Sequence, residues 1–336
     1  MDKLYKKTGY RKEKIEKILK RFIFLEVIVF VFLVVYSVMP YLNLTGAIVG
    51  ENNVTVTTLL QVGTVAPEIL NITINNGNAI TLTANATTSV QVYAIVRDYN
   101  NDTDIVNATV RFFDNGASSY GAADDNNHHY TNNTCAINYA YGDAYHANVT
   151  CFIGLLYYAN NATWNASVTV TDNSSLTDFN SALATVNTLL ALGLPNSIDY
   201  GVVNGTTVST EKIANVTNFG NVIFNLTLYG YGAVPNDNLS MNCSLGNVQN
   251  ISIAYEKYNL TTSNTSVLNL TQFESIYLNL TGSSVIKNFN SPQRQNDTQA
   301  HVDDTNSTYW RIYVPRGVAG TCSGNIVFGA VQTAGT

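Results

Sequence analysis

The sequence predicts an all-β body behind an N-terminal transmembrane helix, and three observations carry that expectation. Beyond about Val54, short runs rich in β-branched residues alternate apolar with polar side chains. Asn, Asp and Gly turns separate these runs at about ten-residue spacing, the pattern of antiparallel sandwiches. Ahead of them lies one long apolar run, Phe22 to Met39. At ~100–200 residues per domain, 336 residues leave room for two domains outside a membrane. With 12% charged and 46% hydrophobic residues, the chain can bury cores and is not disordered through self-repulsion. Neutral polar side chains dominate its polar composition instead, with 44 Asn, all beyond Leu42.

Charge is separated along the chain. Residues 1–21 hold seven Lys and two Arg against Asp2, Glu13 and Glu16, a balance of +6, and the rest sums to −12 within the net −6. That acidic bulk argues against a nucleic-acid partner, which needs a basic face to neutralise phosphates. The expected order is a basic cytoplasmic segment at 1–21, a transmembrane anchor at 22–42 and a stalk at 43–66. The 18 residues from Phe22 to Met39 are broken only by Glu26. As a helix they cover about 27 Å, close to a hydrocarbon core. Arg11, Lys12, Lys14, Lys17, Lys20 and Arg21 at one end, with Tyr36 and Tyr41 at the other, place the N-terminus in the cytoplasm and the bulk outside. Glu13 with Lys17 and Glu16 with Lys20 favour a helix that starts before the membrane, and Pro40 ends it. A cleaved signal peptide cut near Thr45-Gly46-Ala47 is the alternative, but the long basic segment and apolar run favour an uncleaved anchor. Phe22-Ile23-Phe24-Leu25-Glu26 resembles the start of mature type IV pilins. Arg21 stands where those precursors carry a small residue, so pilin-type processing is not expected.

The outer region reads as two β-rich units. The first, 67–175, has strand patterns at 70–75, 79–84, 90–96, 105–113, 149–158 and 166–171. Residues 176–198 form the expected linker, in which Ser181–Leu194 reads as a connecting strand because its even positions are almost all apolar, although Ala and Leu favour helix. The second unit, 199–336, has strand patterns at 208–216, 221–229, 251–255, 275–280, 309–314 and 324–331. At roughly 110–140 residues each unit can bury its own core.

Asn-x-Ser/Thr triplets with x other than Pro number 23. Random order would give about eight, and strand alternation explains part of the excess, since period two places Asn and Thr on one face. Asn is nevertheless a poor strand former, so its repeated use calls for another reason, which glycan attachment supplies. The candidate acceptors are Asn71, Asn85, Asn107, Asn148, Asn161, Asn165, Asn215, Asn225, Asn242, Asn269, Asn279 and Asn306.

Four cysteines in an exported chain point to disulfides. Of three pairings, Cys135–Cys151 with Cys243–Cys322 keeps each bond inside one unit. Trp164 and Trp310 lie in strand-like runs and read as core anchors. Gly320-Thr-Cys322-Ser-Gly324 resembles a nucleophile elbow, but β-type sequence follows it where that motif needs a helix. Asp98, Asn100, Asp102 and Asp104 offer oxygens at alternate positions, as a Ca²⁺ loop does. The glycine and distal glutamate of such a loop are missing, so a turn is the first reading and calcium the second. No other cofactor is expected. Asp124, Asp125, His128, His129 and His146 offer transition-metal ligands, though adjacent histidines in a polar loop are more often solvated.

The order of Asp98, Cys151, Trp164-Asn-Ala-Ser-Val-Thr-Val-Thr-Asp172, Ile198-Asp-Tyr-Gly201, Val216-Thr-Asn-Phe-Gly-Asn-Val222, Met241-Asn-Cys243, Tyr309-Trp310 and Gly320–Gly324 resembles the Ig-like-domain cell-surface proteins of archaea, over about residues 65–330. The resemblance implies an envelope protein with tandem Ig-like sandwiches and no catalytic residues. The expected function is that of a membrane-anchored, N-glycosylated structural or adhesive surface protein, not an enzyme, facing envelope proteins or surface glycans. A polymerising filament or surface-layer subunit, which would be a homo-oligomer, and a carbohydrate-binding module are the alternatives.

Overall fold

A computed structural model describes residues 2–38, 56–295, 301 and 303–333, with side chains in the N-terminal helix described from Ile15 to Leu33. The chain forms two compact units, Met1–Gln61 and Val62–Thr336. Tyr41, Thr45-Gly46-Ala47 and sequons Asn43, Asn53 and Asn296 lie outside the described residues, as do the side chains of Arg11, Lys12, Lys14 and Tyr36.

In the first unit, helix α1 spans Asp2–Val38. The anchor expectation is corrected here: among the described residues no helix is long and apolar enough to cross a membrane. The reason lies in the charges. Every 18-residue window between Ile15 and Leu33 contains Glu16, Lys17, Lys20, Arg21 and Glu26, each costly in hydrocarbon. With the anchor falls the single-pass, cytoplasm-in placement built on it.

The second unit is all-β apart from short helical turns. It begins with β1 (Glu68–Ile74), β2 (Thr87–Arg97), β3 (Ile105–Asp114), β4 (His129–Asn132), β5 (Ala136–Asn138), β6 (His146–Leu156), β7 (Thr163–Asp172) and β8 (Thr177–Thr185). These make two antiparallel sheets, ordered β1-β2-β6-β5 and β4-β3-β7-β8. Alternation fixes which faces meet: Val90, Val92, Ala94 and Val96 of β2 and Ala108, Val110 and Phe112 of β3 enter one core, while their neighbours face out. Trp164 lies fully buried in that core, stacked on Phe112 at 5.1 Å, and its indole N–H donates to the Asn160 carbonyl at 2.9 Å. Two strand readings are corrected. The connecting strand expected over 181–194 within the linker instead spans 177–185 and pairs along β7 from Thr171↔Thr177 to Thr163↔Thr185 as an edge strand. Residues 79–84 form no strand and contribute only the bridge of Ile80 to Val186.

The remainder contains β9 (Leu192–Gly193), β10 (Lys212–Asn218), β11 (Phe224–Tyr231), β12 (Leu239–Gly246), β13 (Asn250–Ser252), β14 (Glu256–Asn259), α2 (Leu270–Ile276), β15 (Leu278–Asn279), β16 (Val285–Ser291), β17 (Thr305–Ile312), β18 (Val318–Ser323) and β19 (Asn325–Gln332). They form sheets β15-β14-β17-β10-β9, β16-β11-β19 and β13-β12-β18 around a second core with Trp310 at its centre. The strand expected over 275–280 is corrected: helix α2 runs into its start and only β15 remains, because Asn269 and Gln272 close a capping box that sets the helix from Leu270.

Buried polar groups join the two β parts. Asn221 Nδ2 donates to the carbonyls of Ala159 and Asn187, both at 3.0 Å, and its Oδ1 accepts the Leu189 N–H at 2.7 Å. Asn127 Nδ2 donates to the Arg294 carbonyl at 2.8 Å, and Gln293 Nε2 to the Tyr158 carbonyl at 2.7 Å. Gly220 must be glycine here, since a Cβ would stand 2.1 Å from the Leu189 oxygen.

Candidate metal centre at one end of the first sandwich

The turn from β2 to β3 carries the chain from one sheet to the other and brings Asp98 and Asp104 beside Asp172, the last residue of β7. The register does this: Ile105 opens β3 directly opposite Asp172. Backbone bonds hold the turn in place, Asp98 N–H to the Tyr145 carbonyl at 2.8 Å, Asp102 N–H to Ala144 at 2.9 Å and Asn173 N–H to Asp104 at 2.9 Å.

One carboxylate oxygen each from Asp98, Asp104 and Asp172 lie within 4.8 Å of one another. Asp98 and Asp172 are 0% and 1% exposed. Their Oδ1 atoms are used locally: Asp98 accepts the Asn100 N–H at 2.8 Å, and Asp172 accepts those of Ser174 at 2.9 Å and Leu176 at 2.7 Å. The Oδ2 atoms of both are buried without a partner. Burial pushes the Asp98 carboxyl above its usual range, and the charges of Asp104 and Asp172 push the same way against the Asn100 bond. Arg97 is taken up by Glu68 at 2.5 Å, and His146 by Asp143 at 2.6 Å.

Of the four residues read from the sequence as a calcium loop, the structure brings together Asp98 and Asp104. Asn100 turns to the segment entering β1, accepting the Val65 N–H at 2.8 Å and donating to the Gly63 carbonyl at 3.4 Å. Asp102 is buried but stands outside the group. Sequence reasoning missed Asp172, since it lies far away in the chain. Its signal was its place at the end of a strand that would pair with the one Asp104 precedes.

The second metal reading dissolves into local pairs: His128 with Asp125 at 2.8 Å, His129 with Asp124 at 2.7 Å and His146 with Asp143. Cys322 is bonded to Cys243, and Cys135 to Cys151. The Cys322 sulfur is therefore not a nucleophile, and Gly324 leads into β19, not a helix.

Beside the carboxylates sit two exposed rings. Tyr99 and Tyr145 have centroids 6.5 Å apart and planes tilted by 46°, and the Arg97 guanidinium lies 4.7 Å over Tyr99.

The described sequon asparagines all keep some exposure. None of the twenty described sequon asparagines is buried, whereas the three buried ones, Asn127, Asn218 and Asn221, all lack Ser or Thr two residues on.

No family model and no curated protein matches the chain. Among solved structures, carbohydrate-binding modules of the β-sandwich superfamily align over 80% of this chain and 98% of theirs, at 11% identity and TM-score 0.22. A chain of the chaperone–tip adhesin complex of CFA/I fimbriae aligns over 81% of this chain and 92% of its own, at 10% identity and TM-score 0.26. The C-terminal domain of the Streptococcus agalactiae AgI/II polypeptide BspA aligns over 80% and 99%, at 10% identity and TM-score 0.19. At TM-scores this low, none of them bears on what the chain does.

Proposed function

We propose that the unit Val62–Thr336 is a glycan-clad β-sandwich body that works outside the reducing cytosol as a structural or adhesive surface component. The observation that carries this reading is the accessibility of the acceptor motifs: none of the twenty described sequon asparagines is buried, and Asn127 and Asn221, whose amides join the two β parts, lie outside the motif. Two disulfides with no free cysteine support an oxidising compartment. The test is the mass of the protein from its native source before and after enzymatic deglycosylation. A drop of many hexose units supports the reading; an unchanged mass defeats it.

Carbohydrate recognition is a second reading, favoured by the exposed Tyr99–Tyr145 pair with Arg97 beside it, since sugar rings stack on aromatic faces while polar groups bond their hydroxyls. Calorimetric titration with oligosaccharides would show binding that a Tyr99→Ala/Tyr145→Ala variant loses. Retention of binding in that variant would place recognition elsewhere. A filament reading needs an open strand edge. At Ile69 of β1 that edge is covered, because Asp178 Oδ2 accepts its N–H at 2.7 Å and Asn180 Nδ2 donates to its carbonyl at 3.3 Å.

A further inference from the structure

We propose that Asp98, Asp104 and Asp172 form a calcium site that ties the β2–β3 turn to the end of β7. Three carboxylates converge, and two of them, Asp98 and Asp172, each hold a buried Oδ2 with no protein partner. A buried carboxylate oxygen without a donor is costly. Three like charges at this separation repel one another as well. Protonation alone does not resolve the arrangement, because neither Oδ2 of Asp98 and Asp172 is hydrogen-bonded to another carboxyl. Among the described residues no Lys, Arg or His pairs with any of the three. Arg97 is committed to Glu68 and His146 to Asp143.

A divalent cation answers all three observations at once. It supplies positive charge and satisfies the orphaned oxygens, and it turns the repulsion into shared coordination. The donor set is all oxygen, with neither imidazole nor thiolate, which selects a hard cation over zinc or copper. Oxygens within 4.8 Å of one another suit an ion with bonds of about 2.3–2.6 Å and an adaptable coordination shell, as calcium has. Magnesium requires bonds of about 2.0–2.1 Å in near-octahedral order, a poorer match to ligands delivered by two separate strand ends and a turn. The consequence is mechanical: the ion would staple the crossover between the two sheets at the end that also presents Tyr99 and Tyr145.

The test uses the full chain, stripped with a chelator and titrated with calcium chloride by calorimetry and thermal unfolding. We expect saturable binding and a rise in melting temperature with calcium, with a weaker response to magnesium chloride. Asp172→Asn and Asp98→Asn should each weaken apparent calcium affinity at least about tenfold. Each should leave the metal-free protein no less stable than the metal-free parent, because each removes a repelling charge. That stability comparison separates loss of the site from loss of the fold. Absence of any calcium response in the parent, an equal response to magnesium, or an unchanged response in Asp172→Asn would each overturn the assignment.

Discussion

The Tyr200 hydroxyl donates to Glu256 Oε1 at 2.8 Å inside the second core, where Glu256 is 2% exposed. Burial lifts the Glu256 carboxyl from 4.5 to about 7, with the Tyr200 bond opposing. The same burial and the adjacent carboxylate push the tyrosine well above its ordinary value. A carboxyl raised on folding keeps its proton where the unfolded chain has released it. Stability from this group is therefore full below about pH 4.5, falls as pH climbs towards 7, and is level above. The span is about 3 kcal/mol. Glu256→Gln should remove this slope and be the more stable form at pH 8, as read from denaturant midpoints at pH 5 and 8. Parallel pH profiles for parent and variant would refute the buried-carboxyl account.

Asn221 should be the residue on which coupling of the two β parts most depends. Its side chain makes three bonds at their junction, two donated and one accepted. Asn221→Ala leaves the Leu189 N–H and two carbonyls unsatisfied in a closed site, at a cost of about 2–4 kcal/mol. Calorimetry should show one unfolding transition in the parent resolving into two in the variant. A single unshifted transition would show that the parts are held together elsewhere.

The β class was legible because alternation is a local property. Val90, Val92, Ala94 and Val96 announce a half-buried strand without knowledge of its partner. The edge strand β8 was harder, since its Ala182 and Ala184 alternate with exposed Leu183, and neither residue type favours a strand. The metal centre was half legible for a related reason. Asp98 and Asp104 belong to one turn, but Asp172 joins them only through the pairing of β3 with β7, a long-range register that no local window contains. The membrane reading is corrected over the described helix, where the apolar residues from Phe22 follow directly on Glu16, Lys17, Lys20 and Arg21 and contain Glu26, so that no stretch there is long and apolar enough to cross a membrane. Buried and accessible asparagines look alike in sequence, and only folding showed that the three buried ones lack the acceptor motif.

The two disulfides should differ in worth. Cys243 and Cys322 sit opposite each other on β12 and β18 and are 79 residues apart, whereas Cys135 and Cys151 are 16 apart. Cross-linking distant positions removes more freedom from the unfolded chain. Replacing Cys243 and Cys322 by Ser should cost about 4.5 kcal/mol, against about 3 kcal/mol for Cys135 and Cys151. Urea unfolding of the two double variants measures the difference, and a reversed order would count against the loop-entropy explanation.

Accessible sequons should not all be occupied alike, because attachment takes place at Nδ2. Asn215 accepts the Ser307 hydroxyl through Oδ1 at 2.9 Å, and among the described residues its Nδ2 has no protein partner. Asn132 and Asn306 instead direct Nδ2 into the chain, to the carbonyls of Phe152 at 2.9 Å and Phe289 at 3.4 Å. Strand pairing sets this contrast, with Asn306 opposite Val216 and Asn215 opposite Ser307 on the same ladder. Peptide mass mapping of native protein should find Asn215 and the exposed Asn107 and Asn242 modified, and Asn132 and Asn306 largely bare. If Asn306 proves as fully occupied as Asn215, modification precedes folding and the folded geometry does not select the sites.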